Sequence, residues 1–528
     1  MQTVSSNFTT RTSDDIRKIH ARLLMSFTKT ANPATRFFTV GISSVGVTDP
    51  IAPSTSTDIN EWDKYQYDDY GIDRILDFEV THEQDLLGSM IMGMADITLI
   101  NTDDIFTPSV DVTIGDFVQS PKRPLRLYAG FNNDAIPLFT GITEKAPNLS
   151  ETKRTAQFHA LDFISFIADI PLTEAVMFID KRIDEIISDL LVDHAGLSIN
   201  QFVLDTGITV IPFAYFKKDA KLGKVIQQLC ESELATFFED EEGKLRLWNR
   251  QHLTRAPFTT AQWDFDRNNC NEIDYPDSNN VINVVEVMSL VREVQANQKL
   301  WELANVIEIP AGGSVDIFAD FRDDYGDLPV ISVDDPEYIV GATTSYYATN
   351  EFSDGTGATY SADITLDSTS RFGTAYKMVF SNDAAIPVYL TALELFAIPA
   401  KVVNEIFLRL QDSTSVTKYE EQIHTIENDF IQTQTFANSI AAMLIADRSE
   451  PSQVRSIEVT KGVPQLQIGD LVNFDDGNGS DTYTVQKKET RISVRGGLVQ
   501  KLDIVQRTVV PYFTAGISAV GYSDVIAP

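Results

Sequence analysis

Cysteine is almost missing from this 528-residue chain: Cys230 and Cys270 are the two, forty residues apart and in no CxxC or other ligand spacing. The spacing fits no thiolate metal site and gives no reason to expect a disulfide between the two. Cys230 shares an apolar helical stripe with Leu222, Val225, Ile226 and Leu229 and reads as a small buried hydrophobe. Long apolar runs are missing too. Stretches such as Ile440–Ala446 fall far short of the roughly 20 residues that cross a bilayer, and the opening MQTVSSNFTTRTSDDIRK lacks the basic-then-apolar layout of a secretory signal. Assembly in a cytoplasm is expected. Positive charge is scarce, with 42 basic against 76 acidic residues, a net charge of −34 and a pI near 4.4. Such a surface repels phosphates, which argues against affinity for nucleic acid or anionic membranes. Solubility accounts for the charge; an acidic channel wall past which DNA slides without sticking is the second reading.

Catalytic constellations are missing as well. The sequence holds no HExxH, GxSxG, Walker loop or GxGxxG, and its six histidines (20, 82, 159, 194, 252 and 424) are scattered singly. Asp475–Asp481 resembles a calcium loop only superficially: Gly477 and Gly479 break the ligand alternation and no closing Glu follows, so a hairpin turn is expected. The acids of the turn Glu239–Gly243 could hold a cation, but a solvated hairpin tip is the simpler expectation. No residue is assigned a catalytic, cofactor-binding or metal role, no cofactor is expected, and the chain is read as a non-enzyme.

Apolar residues are plentiful, at 43%, and a chain of this length divides into roughly three to five domains. Residues 1–154 read as short strands between Gly, Pro, Asn and Asp clusters, with Phe106 as a buried aromatic inside the turn NTDDIFTPS. From 155 to 265 the period changes to that of an α+β domain. One helix is expected to be N-capped by Asp180 and to end at Gly196, carrying Ile183, Ile186, Ile187, Leu190 and Leu191; another begins near Asp219. Residues 266–310 return to strands, expected to help build a second barrel. Segment 311–400, where Lys377 is the one lysine, reads as an inserted β-sandwich-like domain. Within 401–510 a long helix is expected over 418–447, on the stripe Ile423, Ile426, Phe430, Ala437, Ile440, Ala441 and Leu444, followed by barrel strands. Residues 511–528 form a C-terminal extension.

That extension repeats an earlier segment. FTVGISSVGVTDPIAP (Phe38–Pro53) recurs as FTAGISAVGYSDVIAP (Phe513–Pro528), with eleven of sixteen positions identical at an offset of 475. Duplicated local structure and docking of both copies on equivalent surfaces are about evenly matched explanations.

Several stretches resemble the tail-hub family of long-tailed bacteriophages. They are FFTVGIS (Phe37–Ser43), WDKYQYDDY (Trp62–Tyr70), NTDDIFTP (Asn101–Pro108), RPLRLYAGF (Arg123–Phe131), LFTGITEKAPNL (Leu138–Leu149), AQFHALDFISFI (Ala156–Ile167) and PQLQIGDLVNF (Pro464–Phe474). Their order along the chain carries the resemblance more than any single one. It implies a mainly β multidomain fold: two tail-tube-like β-barrel domains, an α/β domain between them and the inserted sandwich. It also implies a homotrimeric baseplate hub at the virion tail tip, which caps the tube, adapts sixfold to threefold symmetry and opens for genome ejection. The implied partners are a distal tail or tail-tube protein, the tape-measure protein and a tail fibre or receptor-binding protein. DNA would pass without specific binding, and no membrane span is expected. The rival reading is a host-surface adhesin presenting the Tyr- and Thr-rich segment Ser345–Tyr360 to a carbohydrate; a tail-associated peptidoglycan hydrolase ranks third.

Overall fold

The computed structural model describes residues 1–2, 4, 8, 19–25, 68–71, 74–83, 89–108, 122–131, 134–275, 281–338, 345–360, 363–459, 461–477, 479–493, 497–506, 512–513 and 525–526. The chain is a mainly β multidomain protein with several sheets and few helices. Its largest element is a fourteen-stranded sheet. Eight strands come from residues 19–161 and six from residues 263–506, here called the first and second halves. Each half has its own apolar core, because alternate residues point inward. In Met94–Ile100 these are Ala95, Ile97 and Leu99, and in Thr155–Leu161 they are Ala156, Phe158 and Ala160. Phe106 is buried edge-on against Phe158, 5.6 Å between ring centres, and the Asn101 side chain holds its turn by accepting from the Phe106 amide.

Two separate barrels are not what the described residues form. The halves join edge to edge where Ile75–Glu83 pairs antiparallel with Ser480–Ser493, from Asp77 opposite Ser493 to Glu83 opposite Lys487. Among the described residues neither half closes into a barrel. In the second half, Trp263–Asp266 pairs with Leu471–Asp475 while Cys270–Asp274 pairs with Val454–Val459. A cleft of about 360 Å³, lined by Trp263, Phe265, Asn269, Val459 and Lys461 among others, opens beside these strands.

Of the strands expected from 266–310 to build the second half, Cys270–Asp274 joins it and Val284–Val294 does not. Val284–Val294 pairs instead with Val388–Gln411 and, in parallel, with Ile423–Glu427. The continuous helix expected over 418–447 is likewise corrected: the chain forms a helix over Ser413–Tyr419, the strand Ile423–Glu427, and a helix over Gln434–Arg448. Glu420 leaves the first helix at φ +60°. The Asn283 side chain then binds the Glu420 carbonyl and the Gln422 amide, and strand pairing captures the residues that follow. Long-range pairing has overridden a local helical period. The last helix starts at Thr433, whose hydroxyl accepts from the Phe436 amide, and packs Phe436, Ala437, Ile440 and Leu444 on Val285, Val287 and Ile406.

Residues 164–254 form the α+β domain, with helices Ile183–Asp193 and Leu222–Glu233 on a shared core. Asp180 does not cap the first of these. It sits in the strand Val176–Arg182, and the helix opens at Arg182, whose amide donates to the Glu185 carboxylate at 2.9 Å. Gly196 follows the helix end at φ +68°, with the Leu197 amide reaching back to the Leu191 carbonyl. Cys230 is buried in the second helix, and both cysteines are free.

The inserted β-domain draws Leu300, Trp301, Leu303 and Ile307 into its core, ahead of residue 311. It also shares a strand with its neighbour. Val388–Gln411, 24 residues long, pairs within the β-domain up to Pro399 and with Val284–Val294 beyond it. The root of the domain is therefore the register pair Val294 and Ala400. Replacing residues 295–399 by a two-residue Asn-Gly turn should close that ladder as a hairpin and leave the rest folded. Its contacts with the α+β domain include the exposed Lys217–Asp327 pair, the kind worth under about 1 kcal/mol. Circular dichroism and limited proteolysis would check this, and general collapse would make the β-domain integral to the core.

The first copy of the repeat lies outside the described residues. Of the second, Tyr512–Phe513 pairs in parallel with Val525–Ile526.

Candidate functional site: a polar junction beneath a charged seam

The seam between the halves has two faces. Outward, Asp77, Glu79 and Glu83 stand opposite Ser493, Arg491 and Lys487. Lys487 pairs with Glu83 at 3.0 Å, and Arg491 lies 3.9 Å from Asp77. Partial burial raises the pKa of Glu79, and the nearby Glu489, Asp96 and Asp77 raise it further against the pull of Arg491. Negative charge is thus crowded across the join.

Inward, the same strands carry Phe78, Val80 and His82 against Ile492, Thr490 and Lys488. Lys488 is 1% exposed. It reaches the inward face because Ser480–Ser493 slips by one residue between Val485 and Lys487 in its ladder with Gly497–Gln506. The slip changes the parity of every side chain after it. Its ammonium donates to the Leu466 carbonyl at 2.7 Å and to the Glu241 carboxylate at 3.1 Å.

Glu241 belongs to the acidic turn of the α+β domain, so the expected solvated hairpin tip is corrected: Glu239 and Glu241 are both buried. Glu241 touches both halves at once. Its carboxylate accepts from Gln467 at 2.7 Å as well as from Lys488, and its carbonyl accepts from the Thr140 hydroxyl at 2.9 Å. Burial opposes its negative charge, but Lys488, His82 and Gln467 outweigh that and hold it at about 2. His82 is also lowered, to about 4, by burial and then by Lys488, which disfavours its charged form.

Beside this ion pair lie two buried carboxylates, and among the described residues no cation pairs with either. Asp162 accepts from the Gly93 amide and from both the hydroxyl and the amide of Ser165. Glu239 accepts from the Phe163 and Ile164 amides through one oxygen, and its other oxygen is buried without a partner. Burial lifts Asp162 to about 7 despite its hydrogen bonds. Burial and then the Asp162 charge lift Glu239 well above the usual carboxylate range. Two like charges this close ionise together only at high cost, so the pair favours holding a proton near neutral pH.

Three units meet at one turn through a buried ion pair, a protonatable acid pair and the backbone bonds between Ile91 and Phe237 and between Phe237 and Ser89. Among the described residues no group of three or more His, Cys, Asp or Glu is placed to hold a metal ion, and no helix is long and apolar enough to cross a membrane. His159 pairs with Asp96, and His252 pairs with Asp205 while stacking on Trp248. The Asp475–Asp481 segment is a hairpin in which Asp475 opposes Ser480. In the segment proposed for saccharides, Tyr347 is buried against Tyr338 and Phe380, Tyr360 packs on the same core, and Phe352 is exposed.

The chain is structurally similar to solved phage tail proteins. Against the 43 kDa tail protein of prophage MuSo2 from Shewanella oneidensis, identity is 11% and the TM-score 0.44, covering 84% of this chain and 96% of that one. For the tail protein from Neisseria meningitidis MC58 the values are 10% and 0.45, covering 83% and 94%. A prophage tail protein from Listeria monocytogenes gives 7% and 0.39, covering 84% and 93%. No protein-family model and no curated protein sequence matches the chain.

Proposed function

We propose that this chain is a structural protein of a phage virion: a trimeric hub at the distal end of the tail tube that caps the tube, adapts sixfold to threefold symmetry and opens for genome ejection. The observation that supports it most is the seam. One chain holds two sheet halves, each with its own core, paired edge to edge. In this reading each half takes one position of the tube, so three chains supply six units to a sixfold tube. The order of hub-like stretches in the sequence supports the same reading.

The distal tail or tail-tube protein, the tape-measure protein and a fibre or receptor-binding protein are the partners this role requires. DNA passes without specific binding. The outward acids Asp77, Glu79, Glu83 and Glu489 along the seam suit such a wall, because phosphates are repelled rather than held. Opening is mechanical, and the junction at Glu241 is where the α+β domain would transmit movement to both halves. No chemical step is assigned.

Native mass spectrometry of the assembled hub should find three copies, and electron microscopy a ring with a central opening. A stable monomer inside intact tails, or a lumen lined mainly by Lys and Arg, would sink the proposal.

A further inference from the structure

Among the described residues, the sheet formed by Val284–Val294, Val388–Gln411 and Ile423–Glu427 is covered by the helix Gln434–Arg448 on one side. Its other face has an apolar centre. Phe407 is 65% exposed there, opposite the half-buried Met288 and one strand position from Leu290. Polar side chains would normally occupy such positions on a solvated sheet face. Around this centre stand Glu286, Glu405, Glu421 and Glu427. Arg409 is shared between Glu286 at 2.6 Å and Glu421 at 2.8 Å. Four carboxylates against one guanidinium leave this set of residues net negative by three.

We infer that this face is a docking surface for a cationic amphipathic segment of another protein, with apolar side chains seated on Phe407, Met288 and Leu290 and Lys or Arg residues against the surrounding glutamates. Charge complementarity selects that occupant. A second copy would bring the same carboxylates on a chain of net charge −34, and a membrane surface or nucleic acid would bring phosphates to an acidic rim. Exposed apolar patches rimmed by charge commonly mark such interfaces. The inference goes beyond the hub reading and does not rest on it.

The test uses the full chain and two fluorescent synthetic peptides, one amphipathic in leucine and lysine and one in leucine and glutamate, read by anisotropy near physiological salt. The lysine peptide should bind and the glutamate peptide should not. Phe407→Ser should weaken binding about tenfold, as for a central apolar anchor, and Glu405→Gln with Glu427→Gln should weaken it several-fold. Glu308→Gln with Asp320→Asn, which removes equal charge from the β-domain, should leave binding unchanged. Equal weakening by that control pair, or indifference to Phe407→Ser, would overturn the inference. Loss of self-association in Phe407→Ser, seen by sedimentation, would overturn it in favour of a second copy.

Discussion

Lys488→Met should lower the stability of the chain by about 3–5 kcal/mol, because it leaves the Glu241 carboxylate buried without its cation. Both side chains are at most 9% exposed, so water cannot replace the lost partner. The Met side chain approximates the lysine stem in volume, which separates loss of charge from loss of packing. Glu241→Gln should cost less, since the Lys488 ammonium keeps the Leu466 carbonyl. The double variant should recover much of the loss, because both charges are then gone. Urea unfolding of all three would be compared, reading the first transition, since a chain of several domains need not unfold in one step. If Lys488→Met shifts that transition by less than about 1 kcal/mol, the ion pair is not what holds the α+β domain to the seam.

The second large effect concerns pH. Asp162, lifted to about 7, binds its proton more tightly in the folded chain than in the unfolded one, and Glu239 is raised in the same direction. Stability from this pair is therefore fully present below the ordinary carboxylate range, near pH 4, and falls as pH rises through about 7. For Asp162 alone that amounts to on the order of 4 kcal/mol as a ceiling. Two neighbours act in the opposite sense. His82, held down at about 4, loses stability as pH drops from its ordinary value of 6.5 through about 4. Glu241, held at about 2, loses stability below pH 4.5. The pair is isolated by comparing the parent with Glu239→Gln, whose amide oxygen can still accept from the Phe163 and Ile164 amides. The difference in melting temperature should favour Glu239→Gln increasingly between pH 5 and pH 8. A difference that stays flat over that range would mean the two carboxylates do not share a proton.

Features governed by neighbours a few residues away were legible in the sequence. Ile183, Ile186, Ile187, Leu190 and Leu191 repeat with a helical period, and they form one buried helix face. Gly196 and Gly243 take the positive φ that a helix end and a tight hairpin require. Short runs between Gly, Pro, Asn and Asp clusters marked residues 1–154 as strands, among them the one containing Ala95, Ile97 and Leu99, and the stripe around Cys230 marked it as a core residue. The acid excess was readable as well, because it depends on composition alone.

Tertiary structure decided the rest, since each remaining feature depends on partners far along the chain. The seam joins residues near 80 to residues near 490, and nothing local to either strand names the other. Ile423 and Ile426 fit a helical stripe as well as a strand; pairing with Val284–Met288 chose the strand. The turn Glu239–Gly243 looks solvated by composition; Glu242 is exposed, but Glu241 is buried where both sheet halves meet it. Lys487 and Lys488 are adjacent and chemically alike, yet a one-residue slip in the ladder beside them turns Lys488 into the core and leaves Lys487 outside with Glu83. Sequence alone determined which segments could be strands or helices and which charge the surface would carry. Only the folded chain determined which strand meets which and which charged groups are buried, because desolvation and pairing are set by the neighbours that folding brings together.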